Sequence, residues 1–115
     1  MTLVLLVEDD ENLRGALTTV LTGDGYRVST AEDGRYAMIE IARERPDIIV
    51  SDVMMPHMDG VALVLALLAV PSLSSIPVVM TSAGARRPNV PVHAFLSKPF
   101  SALQLLTILR ALQQP

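Results

Sequence analysis

Residues 3–10 read LVLLVEDD, five apolar side chains followed at once by three carboxylates. Apolarity at every position over so short a span is the pattern of a parallel strand covered on both faces. Glu8, Asp9 and Asp10 therefore stand directly after that strand, ahead of a segment with helical spacing. Ile48–Val50 repeats the motif: another unbroken apolar run, followed by Ser51 and Asp52.

Outward from these two runs, three more complete a set of five. Tyr26–Ala31 alternates apolar with polar residues, as a strand at a sheet edge does, and Val78–Met80 and Ala94–Leu96 follow. Helix-length segments separate them. Leu13, Ala16, Leu17, Val20 and Leu21 share one helical face, with Gly23 and Gly25 as a stop. Ala37, Met38, Ile41 and Ala42 mark a second stripe that ends before Pro46. A third helix opens near Asp59 or Gly60, reaches Val70 and is closed by Pro71, and Leu105, Leu106, Leu109 and Leu112 form the stripe of the last. The alternation predicts an α/β fold: a doubly wound, five-stranded parallel sheet with helices on both faces. The link from Gly84 to Val92 contains Pro88 and Pro91, so the fourth helix is expected to be shortened or irregular, a turn or two at most. No repeat or flexible linker interrupts residues 1–115, which read as one domain.

Composition narrows the function classes. The 115 residues are 50% hydrophobic with a net charge of −3, and the basic residues are scattered. A folded core is expected, and the basic stripe that direct nucleic-acid binding needs is absent. There is no cysteine, which removes disulfides and thiolate metal sites and fits a reducing compartment. The apolar N-terminus lacks a preceding basic region and a small-residue cleavage site, and Val61–Val70 is too short to span a bilayer. A soluble, cytoplasmic protein with no membrane partner is expected.

The candidate site follows from the topology. Glu8–Asp10, Asp52, Ser82 and Lys98 each fall at or just beyond the end of a predicted strand. In an open parallel sheet these ends share the carboxyl edge, where ligands bind. Crowded carboxylates repel unless a cation compensates. Oxygen donors without His or Cys suit Mg²⁺. A carboxylate can also act as a nucleophile toward phosphorus, with a metal, an ammonium and a hydroxyl to stabilise the charge.

The segments LLVEDDENLR, PDIIVSDVMMPHMDG, IPVVMTSA and FLSKPF, in that order, resemble the receiver domain of bacterial two-component response regulators. The resemblance covers essentially the whole chain and implies the flavodoxin-like strand order 2-1-3-4-5. It implies that Asp52 is the phosphoacceptor, supplied by a histidine kinase or a histidine phosphotransfer protein. Glu8 and Asp9 would hold Mg²⁺ together with Asp52 and the backbone carbonyl of Met54. Lys98 would pair with the phosphoryl oxygens, and Ser82, favoured over Thr81 by the count from Pro77, would hydrogen-bond the phosphoryl group as a switch. Phe95 takes the switch aromatic position. Such a domain catalyses its own phosphorylation and dephosphorylation and turns over no free substrate. The positions that tune hydrolysis hold Met54 and Gly84, which cannot orient a water, so slow loss of phosphate is expected. With nothing after the last helix, no output domain is expected, and the output protein is unspecified.

Simpler roles compete for some of these residues. Asp10 suits an N-cap, and Lys98 could serve Asp52 merely as an ion-pair partner. His57 and His93 lack a second ligand at useful spacing, and Met54, Met55 and Met58 fit loop packing. Two departures from the family pattern bear on partners. The shortened fourth-helix region removes part of the usual output and dimer face. The helix VALVLALLAV lacks a polar face, which marks it as a surface for a partner or a second copy. The alternative function is a non-phosphorylated, receiver-like docking module. A flavodoxin-like enzyme would need a Gly- or Ser/Thr-rich phosphate loop where Glu8–Asp10 stands.

Overall fold

The five apolar residues Leu3–Val7 form strand β1, and all five are buried because β1 lies inside the sheet with neighbours on both sides. A computed structural model describes residues 1–84 and 87–113. It gives β1, α1 (Glu11–Gly23), β2 (Arg27–Ala31), α2 (Gly34–Arg43), β3 (Ile48–Asp52), α3 (Gly60–Leu68), β4 (Val78–Ser82), β5 (Ala94–Ser97) and α4 (Ala102–Gln113). The strands pair in parallel in the order β2-β1-β3-β4-β5, the expected doubly wound sheet. As its alternating sequence predicts, β2 sits at an edge and is only partly covered.

Successive strand side chains point to opposite faces, and this divides the core in two. Val4, Leu6, Ile48, Val50 and Val79 join Leu17 and Leu21 of α1 and Leu105 and Leu109 of α4. Leu5, Val7, Ile49, Val78 and Met80 join Ala37 and Ile41 of α2 and Leu63, Val64 and Leu67 of α3. Fully burying one such aliphatic side chain stabilises the fold by about 1.5–3 kcal/mol. The unbroken apolar runs of the central strands thus supply both layers at once.

Helix ends follow residue chemistry. Asp10 caps α1 by accepting from the Leu13 N–H, Asp33 caps α2 through Arg35 and Tyr36, and Asp59 caps α3 through Ala62. The Arg35 side chain bonded to Asp33 holds that buried carboxyl below its ordinary pKa, helped by the two backbone N–H groups and opposed by burial. Gly25, at φ 92°, lets the chain leave α1 in a left-handed turn. Helix α3 stops at Leu68, short of the expected Val70. Val70 precedes Pro71, and the proline ring disfavours a helical residue before it; the chain instead turns through residues 69–76.

The expected weakness of the fourth crossover takes an extreme form. Among the described residues between β4 and β5, none is helical. Val90 and Val92 pack, with Phe95, onto the sheet face that α2 and α3 also cover. Two valines of an irregular segment therefore do part of a helix's work. In the apolar stretch 61–70, Leu63, Val64 and Leu67 of α3 are buried, whereas Leu65 and Leu68 of α3 and Val70 just beyond it remain 55%, 44% and 37% exposed.

Candidate active site

Asp52 is the last residue of β3, and its carboxylate is delivered to the carboxyl edge by a strand that is buried throughout. The ladder fixes its level: Asp52 pairs with Thr81 in β4, and the Val53 N–H continues to the Thr81 carbonyl at 2.9 Å. Glu8 arrives one residue beyond β1, its N–H bonded to the Ala31 carbonyl at 3.0 Å. Lys98 arrives one residue beyond β5, its N–H held by the Ser82 carbonyl at 2.7 Å. The Lys98–Pro99 peptide bond is cis.

Three strand ends thereby bring opposite charges into contact. Lys98 Nζ donates to Glu8 Oε1 at 2.8 Å and to Asp52 Oδ2 at 3.0 Å. Burial pushes the Glu8 carboxyl above its ordinary pKa; the bonds from Lys98 and the Asp10 N–H work against that rise, and the charge on Asp52 adds to it. For Lys98, burial works toward a lower pKa, but the two carboxylate partners outweigh it and hold the ammonium above its ordinary value. The lysine therefore stays charged between the two acids.

Asp9 completes the cluster. Ligand oxygens of Glu8, Asp9 and Asp52 lie within 4.8 Å of one another. Asp9 is exposed, but the backbone around it is pinned. Arg14 Nη1 donates to the Glu8 carbonyl at 2.8 Å, and the Asp10 N–H donates to Glu8 Oε2 at 3.1 Å. Three carboxylates and one ammonium leave an excess of negative charge, with only oxygen donors facing it. That donor set fits a hard divalent cation that keeps part of its water.

The other expected site residues stand around this cluster without bonding into it by side chain. The Met54 N–H reaches Asp52 Oδ1 at a long 3.4 Å, and its side chain is 72% exposed. Ser82 is buried at the end of β4, where its Oγ accepts from the Gly84 N–H at 3.0 Å and its hydroxyl hydrogen is left to donate. Phe95 pairs with Met80 in the ladder and is half-buried. His57 is an exposed loop residue at φ 66°, and His93 Nδ1 accepts from the Val78 N–H at 3.2 Å.

Two contributors escape sequence inspection. In sequence, Arg14 looks like one more solvated helix residue, yet it reaches back to the Glu8 carbonyl. Gly60 is legible as a turn glycine, but not its reason: a Cβ there would land on the Asp52 carbonyl oxygen. Its N–H instead bonds the Val53 carbonyl at 2.9 Å, which seats α3 directly against the loop that carries the site.

A doubly wound sheet whose carboxyl edge gathers an acidic cluster around one lysine defines the receiver class of signalling domains. The chain belongs to the response regulator receiver domain family, whose model matches residues 4–110. It is a receiver domain of two-component response regulators. It is similar to Response regulator MprA of Mycolicibacterium vanbaalenii, at 36% identity over 115 residues, covering 95% of this chain and 49% of MprA. The chain thus spans about half the length of that relative. The signal receiver domain of a signal transduction histidine kinase from Syntrophus aciditrophicus superposes with a TM-score of 0.91 at 31% identity, covering 97% of this chain and 89% of that one. The receiver domain of sensor histidine kinase PA1611 from Pseudomonas aeruginosa superposes at 0.88 with 28% identity, covering 96% and 95%. That structure holds a magnesium ion coordinated in its active site cleft. Among the described residues of the present chain, no helix is long and apolar enough to cross a membrane.

Proposed function

We propose that residues 1–115 act as one receiver unit that accepts a phosphoryl group on Asp52 and signals by a change of shape. The supporting observation is the Lys98 ammonium bridging Glu8 and Asp52 at the meeting of three strand ends. The donor is a histidine kinase or a histidine phosphotransfer protein. An apolar groove of about 340 Å³, lined by Leu13, Leu17, Lys98, Pro99 and Phe100, borders the site and suits an approaching protein.

In the transfer, a carboxylate oxygen of Asp52 forms a bond to phosphorus as the donor's phosphorus–nitrogen bond breaks. Glu8, Asp9, Asp52 and the Met54 carbonyl would hold Mg²⁺, which when bound neutralises charge on the phosphoryl oxygens. Lys98 is already desolvated and charged beside Asp52, so it can follow the incoming oxygens with little reorganisation. Ser82 donates its hydroxyl to a phosphoryl oxygen, which draws the loop after β4 inward and shifts the contacts of Phe95. The chain serves its own phosphorylation only and turns over no free substrate. Met54 and Gly84 offer no group to orient an attacking water, so the acyl phosphate is long-lived. A cytoplasmic location agrees with partners of this kind.

The test is incorporation of one phosphate from a small-molecule donor with Mg²⁺, read by mass in the wild type and in Asp52→Asn.

A further inference from the structure

The crossover between parallel strands ordinarily carries a helix that covers the sheet. Between β4 and β5 the described residues supply none, and Val90 and Val92 cover only part of the surface. Beside them a hollow of about 140 Å³ opens, walled by Val64, Leu67 and Leu68 of α3, by Leu73, and by Pro91 and His93. A cavity of roughly 150 Å³ takes a benzene ring, so this one admits a single apolar side chain. Leu65 and Leu68 lie three residues apart, side by side on α3, and are 55% and 44% exposed. An apolar stripe therefore leads along α3 into the hollow.

The segment that walls this hollow carries no acid. From Gly60 to Ser97 the sequence contains no Asp or Glu, although the whole chain is at −3. The nearest preceding acid, Asp59, caps the opposite end of α3. Arg87 grips the Val92 carbonyl at 2.9 Å, next to Pro91 and His93. Arg45 holds the turn that contributes Leu73, bonding the Ser72 carbonyl at 3.1 Å and Ser75 Oγ at 3.3 Å. His93 uses Nδ1 as an acceptor for the Val78 N–H, which leaves Nε2 to carry the ring proton and donate. The border thus presents donors and positive charge around an apolar centre. Two-fold pairing with a second copy would set this cationic border against itself, whereas an acidic partner would complement it.

We infer that this surface docks an amphipathic helix of a partner protein, acidic on its flanks, with one apolar side chain seated in the hollow. The bound helix occupies the place that a β4–β5 crossover helix would fill. The inference stands apart from phosphorylation at Asp52 and is tested on the unmodified chain.

Two synthetic helical peptides with identical apolar positions, one flanked by Glu and one by Lys, are titrated into the full chain by calorimetry. The Glu peptide should bind about tenfold tighter at low salt, and its advantage should shrink at 1 M salt. The double variant Leu65→Gln/Leu68→Gln should lose the binding while keeping the wild-type circular dichroism and urea midpoint, since both leucines are exposed. Arg87→Glu should reverse or erase the preference between the peptides. Equal affinity for both peptides, binding of neither, or binding that survives the leucine double variant overturns the inference. Concentration-dependent dimerisation that the double variant abolishes also overturns it, in favour of a second copy as occupant.

Discussion

The ammonium group of Lys98 lies 3.0 Å from Oδ2 of Asp52, although 46 positions separate the two residues in sequence. The same nitrogen serves Glu8, and the two acidic side chains are only 3% and 9% exposed. Removing the cation would leave two buried carboxylates facing each other, which is costlier than losing an attractive pair. Lys98→Met should therefore destabilise the metal-free protein by about 3–5 kcal/mol, measured by urea unfolding in EDTA. Added Mg²⁺ should stabilise the variant more than the wild type. A loss below about 1 kcal/mol, the value of a surface pair, would show that the acids are better solvated than their burial implies.

Gly60 is required by proximity and not by dihedral angle. Gly60→Ala should destabilise the protein by about 1–3 kcal/mol, the usual cost of forcing an extra methyl into a filled space. It should also slow phosphorylation, because the displaced atom is the Asp52 carbonyl oxygen. Gly15, in the middle of α1, is the control: a Cβ there meets nothing within 4 Å. Gly15→Ala should stabilise by up to about 1 kcal/mol through helix propensity. Equal effects at the two positions in thermal or urea unfolding would contradict the packing assigned to Gly60.

Arg14 acts through the peptide it holds. With its guanidinium on the Glu8 carbonyl at 2.8 Å, it fixes the backbone from which the exposed Asp9 projects. Arg14→Ala should weaken Mg²⁺ binding by about tenfold, the lower end of what outer-sphere partners contribute. Calorimetric titration of Mg²⁺ reads this directly. Unchanged affinity would reduce Arg14 to a helix-surface residue.

Once formed, the acyl phosphate should outlast the seconds timescale, since positions 54 and 84 offer only an exposed thioether and a hydrogen, neither able to orient an attacking water. The measurement is decay of the phosphorylated mass after the donor is removed. Met54→Asn, which supplies a polar amide, should shorten the lifetime. Loss of the wild-type adduct within seconds would rule out the assignment of these two positions.

How far the sequence reveals this molecule depends on which residues carry the information. Leu3–Val7 and Ile48–Val50 disclose buried parallel strands because two-sided burial removes the usual alternation. The acids that follow them, with Lys98 after the fifth strand, disclose the edge where the site forms. Other features are set only by contact. Lys98 serves Glu8 as well as Asp52 because β1 lies between β2 and β3, a neighbourhood that spacing along the chain does not encode. The reach of Arg14 depends on how α1 leaves its Asp10 cap. The end of α3 at Leu68 reflects a local conflict between apolar continuity and the proline at position 71. In the β4–β5 link, Pro88 and Pro91 foretell a weak helix, but not that Val90 and Val92 pack onto the sheet there.

The central claim is that Asp52 is the phosphoacceptor, and intact mass after incubation with Mg²⁺ and a small-molecule phosphodonor tests it most directly. The wild type should gain the mass of one phosphate, EDTA should prevent the gain, and Asp52→Asn should show none. An unmodified wild type, or an adduct that persists in Asp52→Asn, would contradict the account.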